Sequence, residues 1–305
     1  MAKIALLHHD IEWTETKLIE AFSAESIDIN CHDIRTTNIK DFVGSELVIN
    51  RIYASVANRD YPSVQRALTL MEALESEGVR CVNNALCSKV DYNKYFAYQV
   101  QKAAGVAVPE CRLIDSAKLD ESATIIMAFA ETHGFPVVVK PNTGGRGKDV
   151  HRLDHPDAVP QIADSIQKAP TSSGYEGDWI VQAFVPSVVD FDIRIAVAGD
   201  EVLPAHTRKL ISTNGGSPWM GSRTLGSKCE VYPLSQKEST IALEASKAIQ
   251  ADYNVVDVVL GKDGPVVIEN NPTPNFDKTI QVEGPDRFVS KMLETAKYAL
   301  NSQGN

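Results

Sequence analysis

Two apolar stretches near the C-terminus, joined by a short turn, constrain the fold of this chain most strongly. Residues 255–260 and 265–271 are rich in valine and flank a Lys-Asp-Gly turn, which predicts a β-hairpin. Side chains alternate between the two faces of a strand, so Glu269 and Asn271 point the same way. Asp257, an anion in the other apolar run, can face them across the hairpin.

The oxygen-bearing side chains of this hairpin predict a metal site. A carboxylate in an apolar strand is costly unless it is paired or bound to a metal. Neither run contains a lysine or arginine, and the turn contains only Lys262. Two carboxylates and an amide oxygen suit Mg²⁺, which leaves its other positions to water and substrate phosphates. The alternative is an Asp and a Glu on the solvent face of an edge hairpin.

Length and charge narrow the class of protein. A chain of 305 residues is too long for one simple core, so two or three domains are expected. The net charge of −10 argues against a nucleic-acid surface, and the apolar runs are too short for a membrane helix or a signal peptide. Five cysteines without a Cys-x-x-Cys pair fit reduced thiols. We therefore expect a cytoplasmic protein that binds neither nucleic acid nor membrane.

The first eighty-odd residues alternate strand and helix patterns. Strands are expected at 3–7, 27–31, 47–49 and 79–82, with helices at 15–22 and 62–78. This β-α-β order predicts a parallel, doubly wound sheet. Ligands gather beyond the carboxyl ends of such strands, so residues 8–10 and 50–53 are candidates for ligand contact. Ordinary loop polarity is the alternative for both segments.

The rest of the chain has an α+β pattern. Helices are expected at 91–104, 121–133, 157–167, 236–251 and 287–300, with strands at 135–141 and 179–185 and a second hairpin at 192–206. Residues 208–228 are rich in Gly and Ser and lack periodicity, which predicts a mobile loop that orders over substrate. We place the domains at residues 1–88, 89–183 and 184–305.

A glycine-rich loop, residues 143–148, follows the strand that ends on Lys140. It contains Gly144, Gly145 and Gly147 with one arginine and one lysine. Glycines let backbone N–H groups approach phosphate oxygens, and the cations offset the phosphate charge. It is not a Walker A loop, because Asp follows the Gly-Lys pair where Ser or Thr is required. A phosphate counter-ion would explain a buried lysine at 140, whereas a structural turn is the alternative for the glycines.

Three arginines are candidates for binding an anion. Arg194 shares a strand face with Asp192, Arg208 follows the next strand, and Arg223 lies in the 208–228 loop. Guanidinium groups suit bidentate capture of carboxylate or phosphate, although solvated surface arginines are the alternative. The sequence has no Gly-x-Ser-x-Gly elbow and no recognisable cysteine nucleophile. These residues favour chemistry on a nucleotide, Mg²⁺ and an anionic acceptor over covalent catalysis by a side chain.

Six short segments, in their order along the chain, match the pattern of a known superfamily. They are 91–94 (Asp-Tyr-Asn-Lys), 136–141, 181–185, 192–194, 256–257 and 268–272 (Ile-Glu-Asn-Asn-Pro). Together they resemble the ATP-grasp superfamily, specifically its RimK/LysX-like branch of carboxylate–amine ligases. The resemblance implies an α/β and α+β protein with the ATP-grasp fold. An N-terminal doubly wound parallel-sheet (pre-ATP-grasp) domain would precede two α+β lobes that grip ATP.

The resemblance also implies roles for individual residues. Contacts to the phosphates would come from Lys94, Lys140 and the closing loop with Gly144, Gly145 and Gly147. The adenine would be held by backbone groups near Gln182, Ala183, Phe184 and Val185, with Asp192 near the nucleotide. Mg²⁺, for which Mn²⁺ could substitute, would be held by Asp257, Glu269 and Asn271. The substrate carboxylate or acyl phosphate would be bound by Arg194, Arg208 and Arg223.

The implied reaction forms an amide or peptide bond at the expense of ATP. A carboxylate would attack the γ-phosphate, and an amine would then displace phosphate from the acyl phosphate, with an amino acid or small peptide as substrate. An ATP-grasp kinase acting on a hydroxyl and a non-catalytic nucleotide-binding protein are the alternatives. Ala183 replaces a glutamate found in many relatives, and residues 215–223 and 272–275 also depart from the pattern. The two substrates, and assembly as a homodimer or homotetramer, therefore stay open.

Overall fold

A computed structural model describes residues 3–168, 175, 177–212, 216–276 and 284–302. Within these residues the strands form three sheets, here called the first, second and third sheet in chain order. Part of the predicted 208–228 loop, residues 213–215, lies outside the described residues. No helix in the described ranges is both long and apolar enough to cross a membrane.

The first sheet is parallel, as the β-α-β pattern predicts. Its strand order is β2-β1-β3-β4, with β1 pairing in parallel to both β2 and β3. The strands and the two helices that cover them are β1 (Ile4–His8), α1 (Trp13–Ala24), β2 (Ile29–Asp33), β3 (Leu47–Asn50), α2 (Tyr61–Ser76) and β4 (Arg80–Val82). After β3, a short 3-10 helix, Ala54–Asn58, leads into α2.

Two helices connect the first sheet to the second, where the sequence predicted one helix from residue 91. They are α3 (Ala85–Tyr92) and α4 (Lys94–Ala103). The chain breaks at Asn93, whose side chain accepts a hydrogen bond from the backbone N–H of Phe96 at 2.8 Å and so caps α4. The prediction was wrong about the start of the helix because an asparagine cap competes with helix continuation.

The second sheet is antiparallel and has the order β5-β8-β6-β7. It contains β5 (Cys111–Ile114), β6 (Val137–Pro141), β7 (His151–Leu153) and β8 (Trp179–Ala183), with α5 (Ser122–His133) and α6 (Val159–Gln167) packed against it. Strand β6 is buried along its whole length and carries Lys140 near its end. The glycine-rich loop therefore follows a buried interior strand of this sheet.

The third sheet carries both predicted hairpins. Its order is β12-β11-β9-β13-β14, and β10 pairs with β9 outside this path. The elements are β9 (Phe191–Ala198), β10 (Glu201–Val202), β11 (Ala205–Lys209), β12 (Cys229–Tyr232), α7 (Gln236–Ala248), β13 (Tyr253–Gly261), β14 (Gly264–Asn271) and α8 (Gly284–Ser302). Arg208 lies within β11 and not at the start of a loop, so that boundary was predicted wrongly.

One face of the third sheet is apolar, and the other carries the polar residues of the site. Ile193, Ile195 and Val256 point into a core that α7 covers. The alternate residues of the same strands, Asp192 and Arg194 among them, line a cavity on the opposite face. Alternation along β9 therefore separates packing residues from polar ones.

Candidate active site

A cavity of about 790 Å³ lies between the three sheets. Every site residue predicted from the sequence lines it: Lys94, Lys140, Gly144, Gly145, Gly147, Gln182, Ala183, Phe184, Val185, Asp192, Arg194, Arg208, Arg223, Asp257, Glu269 and Asn271. These residues come from separate segments spread over about 180 positions. Their convergence on one cavity is a property of the fold, and the role of each residue stays a proposal.

The three oxygen donors of the C-terminal hairpin face one another. Asp257 on β13 lies directly opposite Glu269 on β14, and Val255 lies opposite Asn271. The Asn271 amide donates a hydrogen bond to the carbonyl of Val255 at 3.1 Å, so its side-chain oxygen is directed away from that contact. The register thus brings two carboxylates and one amide oxygen to the same cavity wall.

Cations from other elements surround these carboxylates, which inspection of the two apolar runs could not reveal. Asp257 lies 3.1 Å from Arg194 and 3.0 Å from Arg208, and Glu269 lies 3.3 Å from Lys94. Arg194 is the strand neighbour of Asp257 on β9. The pairing across strands offsets the cost of placing a carboxylate in this sheet.

Two lysines form the wall where phosphates are expected. Lys140 is buried, and burial lowers the pKa of its ammonium group, with Glu269 acting in the opposite direction. Lys94 begins α4, and its ammonium group donates to the carbonyl of Gly144 at 2.6 Å. A nucleotide polyphosphate is the kind of ligand that two neighbouring ammonium groups attract.

The glycine-rich loop is anchored at its base to the helices that carry Lys94. The backbone N–H of Lys94 donates to the carbonyl of Asn142, and the hydroxyl of Thr143 donates to the carbonyl of Tyr92 at 2.6 Å. The loop base and the start of α4 are therefore one structural unit. A ligand that contacts the loop also contacts the helix terminus.

The end of β8 and the residues that follow it, 182–185, form the part of the cavity where the adenine is expected. Two of their backbone N–H groups already have partners within the protein. The N–H of Ala183 donates to the carbonyl of Glu110 at 2.9 Å, and the N–H of Phe184 donates to the carbonyl of Pro136 at 3.4 Å. The Phe184 ring lies edge-on to Trp219, with 6.3 Å between ring centroids. The 208–228 loop thus reaches across to this segment and supplies an aromatic wall.

The remaining wall is cationic and suits an anionic substrate. Arg208 pairs with Asp192 through two hydrogen bonds of 2.8 and 3.0 Å. Burial raises the pKa of Asp192, and the neighbouring Arg208 opposes this change. Burial by itself would lower the pKa of the Arg208 guanidinium group. The neighbouring carboxylates of Asp257 and Asp192 outweigh this effect and hold the pKa above its ordinary value. This network fixes the orientation of the Arg208 fork toward the cavity.

Among the polar residues that line this cavity, His206 and Asp91 are two to which inspection of the sequence assigned no role. Burial lowers the pKa of His206 to about 3, with further lowering from the nearby arginines, so the imidazole is neutral near pH 7. Burial raises the pKa of Asp91 to about 8, although Lys94 acts in the opposite direction. Asp91 precedes Lys94 by three residues, a spacing that could have flagged it. His206 had no comparable signal, because only the register of β11 places it beside Arg194.

Two candidate segments at the ends of parallel strands include side chains that are paired within the protein. Arg51 is buried and pairs with Glu15 at 2.8 Å, and His9 lies between Asp10 and Asp60 at 2.8 and 3.0 Å. These partners all lie within the protein, and a role of the two segments in ligand contact stays a prediction. Tyr53 is different, since it lines the cavity.

The donor chemistry of the cavity fits a nucleotide with a hard divalent cation. Among the described residues, no group of three or more His, Cys, Asp or Glu side chains is arranged so that it could hold a metal ion by itself. Two carboxylates and an amide oxygen beside two lysines match Mg²⁺ with phosphates as its further ligands. The residues present are therefore compatible with ATP and Mg²⁺.

Comparison with known proteins agrees with this geometry. A family model described as the RimK-like ATP-grasp domain matches residues 91–293. The chain is 27% identical to a probable alpha-L-glutamate ligase of Haemophilus influenzae over 73% of this chain and 69% of that protein. It is 26% identical to a protein of the same name from Xanthomonas euvesicatoria, over 81% and 76% of the two chains.

Solved structures have the same overall fold. The chain is similar to D-cycloserine synthetase, with a TM-score of 0.73 and 19% identity over 96% of this chain and 99% of the other. It is also similar to a RimK domain ATP-grasp protein of Sphaerobacter thermophilus, with a TM-score of 0.67 and 22% identity over 95% and 97%. These likenesses confirm the predicted ATP-grasp fold, and the match to the family model covers more than half of the sequence. The chain belongs to the RimK-like ATP-grasp family.

Proposed function

We propose that this protein is an ATP-dependent ligase that joins a carboxylate to an amine, with an amino acid or small peptide as substrate. One observation carries the proposal. Two lysines, the oxygen donors Asp257, Glu269 and Asn271, and three arginines line the same cavity. Such a cavity can hold a nucleotide polyphosphate and an organic anion side by side.

The nucleotide occupies the part of the cavity between the second and third sheets. Lys94 and Lys140 contact its phosphates, and the glycine-rich loop covers them with backbone N–H groups. Backbone groups near Gln182, Ala183, Phe184 and Val185 hold the adenine. When bound by Asp257, Glu269 and Asn271, Mg²⁺ supplies charge neutralisation at the phosphates, and Mn²⁺ could replace it.

The acid substrate binds at the cationic wall. Arg194, Arg208 and Arg223 hold the carboxylate near the terminal phosphate, and Asp192 keeps the Arg208 fork in a fixed orientation. The carboxylate then attacks the γ-phosphate to give an acyl phosphate and ADP. The amine displaces phosphate and forms the amide. Catalysis comes from positioning and from neutralising charge on the transferring phosphoryl group, so no side-chain nucleophile is required.

Glutamate is the amino acid that the named relatives suggest as a substrate. The wall that carries three arginines and a neutral histidine has a surplus of positive charge. An acidic amino acid has a second carboxylate that such a wall attracts. A location in the cytoplasm, and assembly as a homodimer or homotetramer, remain predictions from the sequence and the resemblance.

Trapping with hydroxylamine tests the proposal. We expect the protein, incubated with ATP, Mg²⁺, glutamate and hydroxylamine, to release ADP and form a hydroxamate. Hydroxylamine captures an acyl phosphate, whereas a kinase product, the phosphate ester of an alcohol, is stable to it. A panel of amino acids and small peptides, scored by ADP release, identifies the preferred acid and amine. ADP release with a phosphorylated alcohol and no hydroxamate across the panel would contradict the ligase assignment.

A further inference from the structure

We propose that residues 53–58, which follow β3 and include the 3-10 helix, dock the glycine-rich loop over the phosphate wall, with Asn58 as a positioning residue. These six residues are called the docking segment below. The consequence for ATP binding rests on the proposed function. The docking itself is a contact within the protein and can be measured separately.

One hydrogen bond and one ring contact join the docking segment to the tip of the loop. The side-chain amide of Asn58 donates to the carbonyl of Gly145 at 3.0 Å. The guanidinium group of Arg146 lies 5.9 Å from the centroid of the Tyr53 ring, within the range of a cation–π contact. The loop tip is thus held by the N-terminal part of the chain, although its base belongs to the second sheet.

Close packing at two glycines shows that the docking is specific. A Cβ atom at Gly144 would lie 2.9 Å from the Asn58 side-chain oxygen, and Gly144 has a φ of +123°. A Cβ atom at Gly145 would lie 3.2 Å from the Cβ of Ser55. Larger residues at these two positions would push the loop off the segment. The glycines are therefore needed for docking as well as for approach to phosphate.

The docking segment is itself fixed in place. The backbone N–H of Ala54 donates to the Asp91 carboxylate at 3.1 Å, and the side chains of Val56 and Ala57 are buried in the core of the first sheet. Asp91 belongs to α3, which runs directly toward Lys94. The position of the loop tip is therefore tied to the same helix pair that carries the phosphate-binding lysine.

The segment also faces the substrate. Tyr53, Ala54 and Ser55 line the cavity, as do the glycines of the loop, so a molecule that binds there contacts both the docking segment and the loop. On the other side of the loop, a Cβ at Gly147 would lie 3.2 Å from the Met220 methyl group. The loop is thus held between residues of the N-terminal part and of the 208–228 loop.

Trypsin cleavage in the loop measures docking directly. Arg146 is exposed and Lys148 is half-buried, and both lie in the loop. Cleavage of a transiently opened loop follows the population of the open form. Asn58→Ala removes the hydrogen bond, and Asn58→Asp replaces the donor with an acceptor of the same shape. We expect both variants to be cleaved after Arg146 or Lys148 about fivefold faster than wild type, the change that one lost hydrogen bond gives.

A matched control separates docking from general stability. The guanidinium group of Arg80 donates to the Asp252 carboxylate at 2.6 Å and also joins the N-terminal part to the C-terminal part, but neither residue lines the cavity. Asp252→Asn, which weakens this ion pair, should lower the melting temperature slightly and leave cleavage at Arg146 and Lys148 at the wild-type rate. Equal loop cleavage in Asn58→Asp and wild type would overturn the proposal.

Nucleotide binding gives the second readout. Both Asn58 variants should raise the Kd for a non-hydrolysable ATP analogue about fivefold, measured by calorimetry with Mg²⁺, whereas Asp252→Asn should not. If wild type binds no nucleotide, the proposed function fails, while the cleavage result still decides the docking. If wild type binds nucleotide and the Asn58 variants bind it equally well, Asn58 has no positioning role.

Discussion

At the scale of single residues, the site depends on charges that balance one another. Asp257 lies between two guanidinium groups and Glu269 beside an ammonium group, so each of the two carboxylates has a cation at 3.0–3.3 Å. Removing one partner of a buried pair leaves an uncompensated charge, which is costly. The proposed metal ligands are therefore best tested by mutating the more exposed carboxylate, Glu269, whose side chain is 34% exposed.

We expect Glu269→Ala to lower ATP turnover about 100-fold or more while the protein stays folded. Loss of a ligand to the cation removes several kcal/mol of charge stabilisation, and each 1.4 kcal/mol is tenfold in rate. The free energy of unfolding should change by no more than about 1 kcal/mol, because the side chain is partly solvated. ADP release and urea unfolding measure the two effects. Glu230→Ala, at an exposed carboxylate on β12, is the control, and turnover like wild type in Glu269→Ala would refute the assignment.

At the scale of elements, strand register and one close-packed loop build the cationic wall. His206 on β11, Arg194 on β9, Asp257 on β13 and Glu269 on β14 form one row across four strands. Gly221 in the 208–228 loop packs against Asp192 beside this row, because a Cβ there would overlap the Asp192 carboxylate. The loop can cover the Asp192–Arg208 pair only with a glycine at this position.

Gly221→Ala is expected to lower kcat/KM for the acid substrate about 10- to 100-fold. The added methyl group must displace either the loop or the Asp192 carboxylate, and a shift of about 1 Å in a positioned group is enough for a loss of this size. Gly216→Ala is the matched control, since a Cβ at Gly216 meets nothing within 4 Å. Steady-state kinetics on both variants measure the effect. Equal kinetics would show that the loop adjusts without moving Asp192.

At the scale of the whole molecule, the first and third sheets share a hydrophobic core. Leu47 and Ile49 of β3 pack in the same cluster as Tyr253 of β13 and Phe288 of α8. The rings of Phe288 and Tyr253 lie 5.0 Å apart. The second sheet has a core of its own. The division into three domains stays a prediction, and this shared core indicates that the first and last of them depend on each other for stability.

We expect Phe288→Ala to cost about 3–5 kcal/mol, the usual effect of removing a buried aromatic ring. Because the core is shared, amide hydrogen exchange should speed up in β1, β3 and β13 together. Phe129→Ala is the control, since Phe129 is equally buried but belongs to the core of the second sheet. Faster exchange confined to the third sheet in Phe288→Ala would show that the first sheet is stable by itself.

The sequence alone was enough for the parallel N-terminal sheet, both C-terminal hairpins and sixteen of the residues that line the cavity. These features depend on local periodicity, on turn residues and on motif order, all of which can be read along the chain. The fold class and the family were confirmed by comparison. Where local prediction was wrong, as at Asn93 and at Arg208, a cap or a strand neighbour overrode the local pattern.

Tertiary structure decided the rest. The cations beside Asp257 and Glu269 come from β9, β11 and α4, far away in sequence, and only sheet register and the packing of α4 against β14 bring them within 3.3 Å. The low pKa of His206 and the contact of Asn58 with the glycine-rich loop likewise arise from segments that meet only in the folded state. Hydrophobic patterns specify which face of a strand is buried. Which charges then meet on the other face depends on how the strands are aligned.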